Sequence, residues 1–131
     1  MSDILVDSSV WIEYFKGNND FLFIDELINN NAVCTNDVIL TELLPAILHK
    51  KEFELADLLN QIRKYDISID WAEIQSFQLK GIKKGNNNIG IVDLIIAQNC
   101  MQNKIKLLTC DKHFKTMSKY IPLEIYNRIT A

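Results

Sequence analysis

Glycine and proline are scarce in this chain, at four and two of 131 residues, which excludes collagen-like repeats and flexible linker tracts. No apolar run approaches the roughly 20 residues of a membrane-spanning helix. The three cysteines, Cys34, Cys100 and Cys110, are odd in number and lack a C-x-x-C spacing. That excludes a disulfide framework and a thiolate metal site, and their apolar surroundings predict reduced, structural thiols inside a cell. His49 and His113 are the only histidines. His113 is expected to be a surface residue of a short late helix, not a ligand or a general base. There is no G-x-S-x-G elbow, no G-x-x-x-x-G-K-[ST] loop and no G-x-G-x-x-G fingerprint, so serine hydrolases and nucleotide-cradling loops have no signature here. The opening residues, Met1 to Asp7, place acids among apolar residues without a basic leader, so neither signal peptide nor anchor is expected, and a cytoplasmic protein with no membrane association is.

What is present is a globular balance: 48% hydrophobic against 24% charged residues. At 131 residues that supports a single domain, 1–131, with one core. The net charge of −3 hides an asymmetry. Residues 1–79 carry five Lys/Arg against fourteen Asp/Glu, a net of −9, and residues 80–131 carry nine against three, a net of +6. The basic charge is concentrated late in the chain.

Short apolar segments alternate with amphipathic ones. Strands are expected at Ile4–Val6, Ala32–Thr35, Ile67–Ile69, Lys106–Thr109 and around Leu123–Ile125. Helices are expected from Val10 to Phe15, from Phe21 to Asn30, and from Asp37 to His49 after an Asn36 cap, with Pro45 expected to kink or break the last. Three more are expected: one through Phe53–Leu59, one after Asp70, and one from Ile89 to Met101 following the polar loop Gly85–Asn88. A short helix should follow from Lys112. Strands apolar on both faces and alternating with helices predict an α/β fold, a mostly parallel sheet of about five strands covered on both sides. Ligands of such sheets bind beyond the carboxyl ends of the strands, and Asp7 and Asp111 each follow a strand immediately.

Four acids stand out, each with an ordinary explanation beside the functional one. Asp7 and Asp111 both suit helix caps. Glu42 has the option of facing water from a mostly apolar helix. Asp93 is harder to explain as structure, because Ile89, Ile96 and Ala97 share its side of the helix and a buried unpaired carboxylate is costly. Carboxylates clustered without an embedded Lys or Arg repel one another, and a divalent cation relieves that. A donor set of hard oxygens points to magnesium, with manganese able to substitute, over zinc.

The segment Leu5-Val6-Asp7-Ser8-Ser9-Val10-Trp11-Ile12 resembles the opening of VapC-type PIN domains: an apolar strand, an aspartate, and a hydroxyl residue two positions on. Thr41-Glu42-Leu43, Gly90 to Ala97 and Leu108 to Phe114 are similar to the second, third and fourth motifs of that family, in order and with comparable spacing over nearly the whole chain. The resemblance implies a three-layer PIN-like fold. It also implies an acidic metal site of Asp7, Glu42, Asp93 and Asp111, catalytic and metal-holding, with Ser9 as a hydrogen-bonding helper, although Ser9 also suits a helix start. Two departures are visible. His113 stands where many relatives carry an acid, and Ala46 follows Pro45 where relatives often have glycine.

By that resemblance the chain is a Mg2+-dependent endoribonuclease that hydrolyses RNA phosphodiesters through metal-activated water. It would be the toxin of a toxin–antitoxin pair, held by a small VapB-like antitoxin and homodimeric, with Phe21 and Phe23 as candidate interface residues or ordinary core. Lys80, Lys83, Lys84, Lys104, Lys106, Lys112 and Lys115 are candidate RNA-phosphate contacts, each of which also has a plain solvating role. The alternative is a PIN-like fold without catalysis, an RNA-binding or assembly module. Phosphoryl-accepting α/β domains are disfavoured because Ser9 stands where a second aspartate would be needed.

Overall fold

The computed structural model describes residues 3–86 and 88–127, so Met1, Ser2, Asn87 and residues 128–131 lie outside the described part. Four strands, β1 (Ile4–Val6), β2 (Val33–Thr35), β3 (Arg63–Lys64) and β4 (Lys106–Leu108), form a parallel sheet in the order β3-β2-β1-β4. Seven helices flank it: α1 (Ser8–Phe15), α2 (Phe23–Asn29), α3 (Asp37–His49), α4 (Phe53–Gln61), α5 (Trp71–Lys83), α6 (Ile91–Asn103) and α7 (Lys112–Met117). The sheet has four strands, not about five. The expected last strand is reduced to one bridge, Leu107 to Ile125, held by Leu107 N–H to the Glu124 carbonyl and Tyr126 N–H to the Leu107 carbonyl.

The two central strands are buried on both faces: Leu5 and Val6 of β1 and Cys34 of β2 have no accessible surface, and Leu107 of β4 has none either. This continuous apolar character is what made these strands legible. The third strand is displaced from its expected place. Residues 67–69 are not a strand, because helix α6 takes the carbonyls around them: Asn99 Nδ2 donates to the Asp66 carbonyl and Gln102 Nε2 to that of Ser68. Pairing falls instead on the exposed, charged Arg63–Lys64, the kind of edge that repels a further strand. Arg63 and Tyr65 both bond Asp3, just before β1. Burial pulls the Asp3 carboxyl upward, but these two hydrogen bonds and the guanidinium charge outweigh it and hold the group below its ordinary value.

Helix α3 runs unbroken through Pro45, which sits on its exposed side. The missing N–H there leaves the Thr41 carbonyl for water, so the expected kink does not become a break. Buried Asn36 caps α3 through Ile39 N–H at 2.9 Å and donates Nδ2 to Asn99 Oδ1 of α6 at 2.9 Å. One side chain thus fixes the helix that carries Glu42 relative to the helix that carries Asp93. Helices α5 and α6 are antiparallel neighbours, since Gln98, late in α6, bonds the backbone of Asp70 at the start of α5. Cys34 and Cys100 are buried as expected, whereas Cys110 is exposed because it lies in the turn between β4 and α7.

Candidate metal centre

The chain reaches the carboxyl ends of β1 and β4 side by side, with Asp7 N–H bonded to the Leu108 carbonyl at 2.9 Å. Asp7 follows β1 and Asp111 follows β4 by three residues, so parallel pairing alone brings both acids to one rim. Asp7 is 5% exposed. Its Oδ2 accepts from Ser9 Oγ at 2.7 Å and from Thr109 Oγ1 at 2.9 Å, which holds the carboxylate rigid. Ser9 Oγ in turn accepts the Cys110 N–H at 3.1 Å, and Thr109 Oγ1 accepts the Asp111 N–H at 3.0 Å. The first and fourth motifs are therefore knitted through two hydroxyls.

Asp93 sits in the first turn of α6, half-buried, with Ile89, Ile96 and Ala97 buried around it. Its carboxyl is pushed up, first by burial and then by the charges of Asp111 and Asp7, with His113 pulling the other way. Glu42 exposes much of its side chain, yet its carboxyl end accepts from Ser8 Oγ at 3.2 Å. Burial raises this group, the Ser8 bond lowers it, and the charges of Asp7 and Asp93 raise it further, for a net upward shift. Asp93 thus feels the charges of Asp111 and Asp7, and Glu42 those of Asp7 and Asp93.

The tightest donor group among the described residues is Asp93, Asp111 and His113, whose ligand-type atoms lie within 4.8 Å of one another. Asp7 and Glu42 lie outside this group: the charge of Asp7 raises the Asp93 carboxyl, and those of Asp7 and Asp93 raise that of Glu42. Ion pairs link Lys16 to Glu13, Arg63 to Asp3, Lys64 to Asp37 and His113 to Asp111, so none brings a lysine or arginine onto the four acids. Carboxylate oxygens close to one another, with no lysine or arginine among the described residues between them, suit a divalent metal ion.

Sequence reasoning offers no role for Thr109 and sets His113 aside as a surface residue. Thr109 looked like the end of a strand, and only its contact with Asp7, 102 positions away, gives it a role. His113 is exposed, as expected of a surface residue, but its ring faces the acids, with Nδ1 3.7 Å from Asp111 Oδ1. Its position two residues after Asp111, where relatives carry an acid, was the available signal. The lysines separate into two groups. Lys112 and Lys115 lie on α7 beside Asp111, and Lys80, Lys83 and Lys84 at the end of α5 lie towards the start of α6, all exposed. Lys104 and Lys106 instead stand at the opposite end of α6 and β4, about 16 Å along the helix from Asp93. Phe21 and Phe23 are half-buried and pack against the core.

Thr109→Val should expose the value of this network. The isostere removes the hydroxyl that serves both Asp7 and the Asp111 N–H, so urea unfolding should show a loss of about 1–3 kcal/mol, with Thr109→Ser close to the parent. Equal stability of the valine variant and the parent would mean that the network is not load-carrying.

A family model described as PIN domain matches residues 4–120. Among solved structures, VapBC2 from Rickettsia felis bound to a promoter DNA fragment superposes with a TM-score of 0.74 at 18% identity, covering 95% of this chain and 97% of that one. DNA-bound VapBC from Salmonella typhimurium gives 0.73 at 18%, covering 96% and 98%. FitAcB from Neisseria gonorrhoeae gives 0.71 at 21%, covering 95% and 96%. Among curated proteins, none matched the sequence.

Proposed function

The chain belongs to the PIN domain family, and from that premise we propose that it is a magnesium-dependent endoribonuclease acting as the toxin of a toxin–antitoxin pair. The observation that carries the reading is that Asp7 and Asp111 after two adjacent strands, Asp93 from α6 and Glu42 from α3 influence one another's carboxyls, with no lysine or arginine among the described residues ion-paired to them.

A divalent ion bound at such a site supplies water of lowered pKa and offsets charge developing on a phosphate. The chain's own residues prepare for that. Asp7 Oδ2 is committed to the Ser9 and Thr109 hydroxyls, which leaves Oδ1 as its ligand atom. Asp111 Oδ1 accepts the His113 N–H at 2.9 Å as a helix cap, leaving Oδ2. Asp93 enters from the first turn of α6, where the helix dipole favours negative charge. Lys112 and Lys115, exposed beside Asp111, offer phosphate contacts to a single-stranded substrate. The test is sequencing of the RNA ends produced by the parent and by Asp93→Asn in parallel. Discrete new ends from the parent alone support the reading, and identical ends from both refute it. It also separates the nuclease from the non-catalytic RNA-binding module.

The partner reading rests on a groove of about 220 Å³ between α1, α3 and α4, lined by Ile12, Phe15, Leu43, Ala46, Ile47 and Leu55, with Lys16, Lys50, Glu42 and Glu52 also on its wall. Ile12 is 45% exposed there. The solved VapBC and FitAcB structures are of toxin-type chains with which this one shares its fold. An amphipathic segment of a VapB-like antitoxin laid in this groove would end beside Glu42, where a basic side chain could occupy the acidic pocket. Co-expression with the neighbouring open reading frames should yield a stable complex that cuts RNA poorly. Full nuclease activity with no partner retained would refute the toxin role.

A further inference from the structure

In an otherwise all-oxygen cluster, His113 contributes the one nitrogen. Asp93, Asp111 and His113 donors already lie within 4.8 Å of one another. Around an ion with ligands at about 2.1 Å, adjacent donors sit about 3 Å apart and opposite ones about 4.2 Å, so three donors within 4.8 Å of one another need side-chain movements on the order of 1–2 Å to share one ion. The His113 side chain is 51% exposed, which leaves it rotameric freedom to make that adjustment. Its backbone is fixed, because the His113 N–H caps onto Asp111 Oδ1 at 2.9 Å in the first turn of α7. In this rotamer the ring lies on the Asp111 side of the site, with Nδ1 3.7 Å from Asp111 Oδ1. It has no competing partner among the described residues: Asp111 is its only ion-pair neighbour, at 3.7 Å, too long for a hydrogen bond.

We propose that the His113 imidazole is a direct metal ligand, completing the Asp93–Asp111 edge as a mixed nitrogen–oxygen site that binds Mn2+ more tightly than the Mg2+ of the proposed activity while still accepting Mg2+. This rests on the metal-centre reading above. Carboxylates alone serve Mg2+ well, whereas an imidazole nitrogen adds little for that hard, reluctantly dehydrated ion and more for a transition metal. A carboxylate at position 113 would reverse the balance by adding negative charge and a hard oxygen.

The test uses the full chain, with Mn2+ and Mg2+ alone as probes, at about pH 8 where a free imidazole is neutral. Pulsed electron paramagnetic resonance of bound Mn2+ should show coupling to a directly bound nitrogen, lost in His113→Asp and His113→Gln while Mn2+ remains bound. Calorimetric titration should give Mn2+ at least tenfold tighter binding than Mg2+ in the parent, and His113→Asp should lower that ratio about tenfold. Asp93-dependent Mn2+ binding without nitrogen coupling overturns the role of His113 and leaves the metal centre standing. Absence of any Asp93-dependent binding overturns both.

Discussion

Asp93→Asn should lower RNA cleavage at least about a thousandfold while making the metal-free protein more stable. A ligand loss that forfeits several kcal/mol of charge stabilisation corresponds to three or more powers of ten in rate, at about 1.4 kcal/mol for each. Stability should move the other way. The half-buried Asp93 carboxylate faces Asp111 and Asp7, and burial plus those charges raise its pKa, so its ionised form is a liability without a cation. Asparagine has the same shape, carries no charge and can donate its amide to either neighbour. A gain of about 1 kcal/mol is expected, worth a few degrees in thermal melting. Loss of both activity and stability would identify Asp93 as a structural residue, and full activity would end the metal mechanism.

Magnesium should invert the pH dependence of thermal stability. In the metal-free protein Asp93 and Glu42 have raised folded-state values, above the ordinary 3.8 and 4.5. The folded chain then keeps protons that the unfolded chain has released, so stability from these groups falls as pH rises through the raised values and stays low above them. Asp3 works in the opposite sense. Its folded value is depressed, so its contribution is present above about 3.8 and is lost only as pH falls through the lower folded value. Mildly acidic, metal-free protein should therefore melt higher than the same protein at pH about 8. Metal binding requires the deprotonated carboxylates, so saturating Mg2+ should raise the melting temperature most at the higher pH. At a hundred times the dissociation constant the gain is about 2.7 kcal/mol, on the order of 10 °C for a domain of this size. A melting temperature indifferent to Mg2+ at both pH values would remove the site.

Apolar continuity and caps made most of the fold legible in advance. Helix α3 begins at its Asn36 cap and ends at His49, both as expected, and α5 starts after the Asp70 cap. Failures occurred where pairing depended on a remote partner. Arg63–Lys64 carries no apolar signal, because an edge strand is specified by its neighbour β2, and the apolar 67–69 segment was claimed by amide side chains of α6. Gln98 and Asn99 are polar yet buried in α6, because they satisfy the backbone of a crossing segment.

The sequence by itself determined which acids were out of place: Asp7 directly after an apolar strand, and Asp93 among isoleucines, where desolvation alone makes a carboxylate expensive. These are local properties, set by neighbours within one or two helical turns. It took the tertiary structure to show that the exposed Glu42 carboxyl bonds Ser8, that Thr109 holds Asp7, and that the His113 ring turns to Asp93 and Asp111. Apart from the local His113–Asp111 pair, those contacts span from 20 to 102 positions, and their energies depend on separations of a few ångströms that strand order and helix packing fix and that no local pattern encodes.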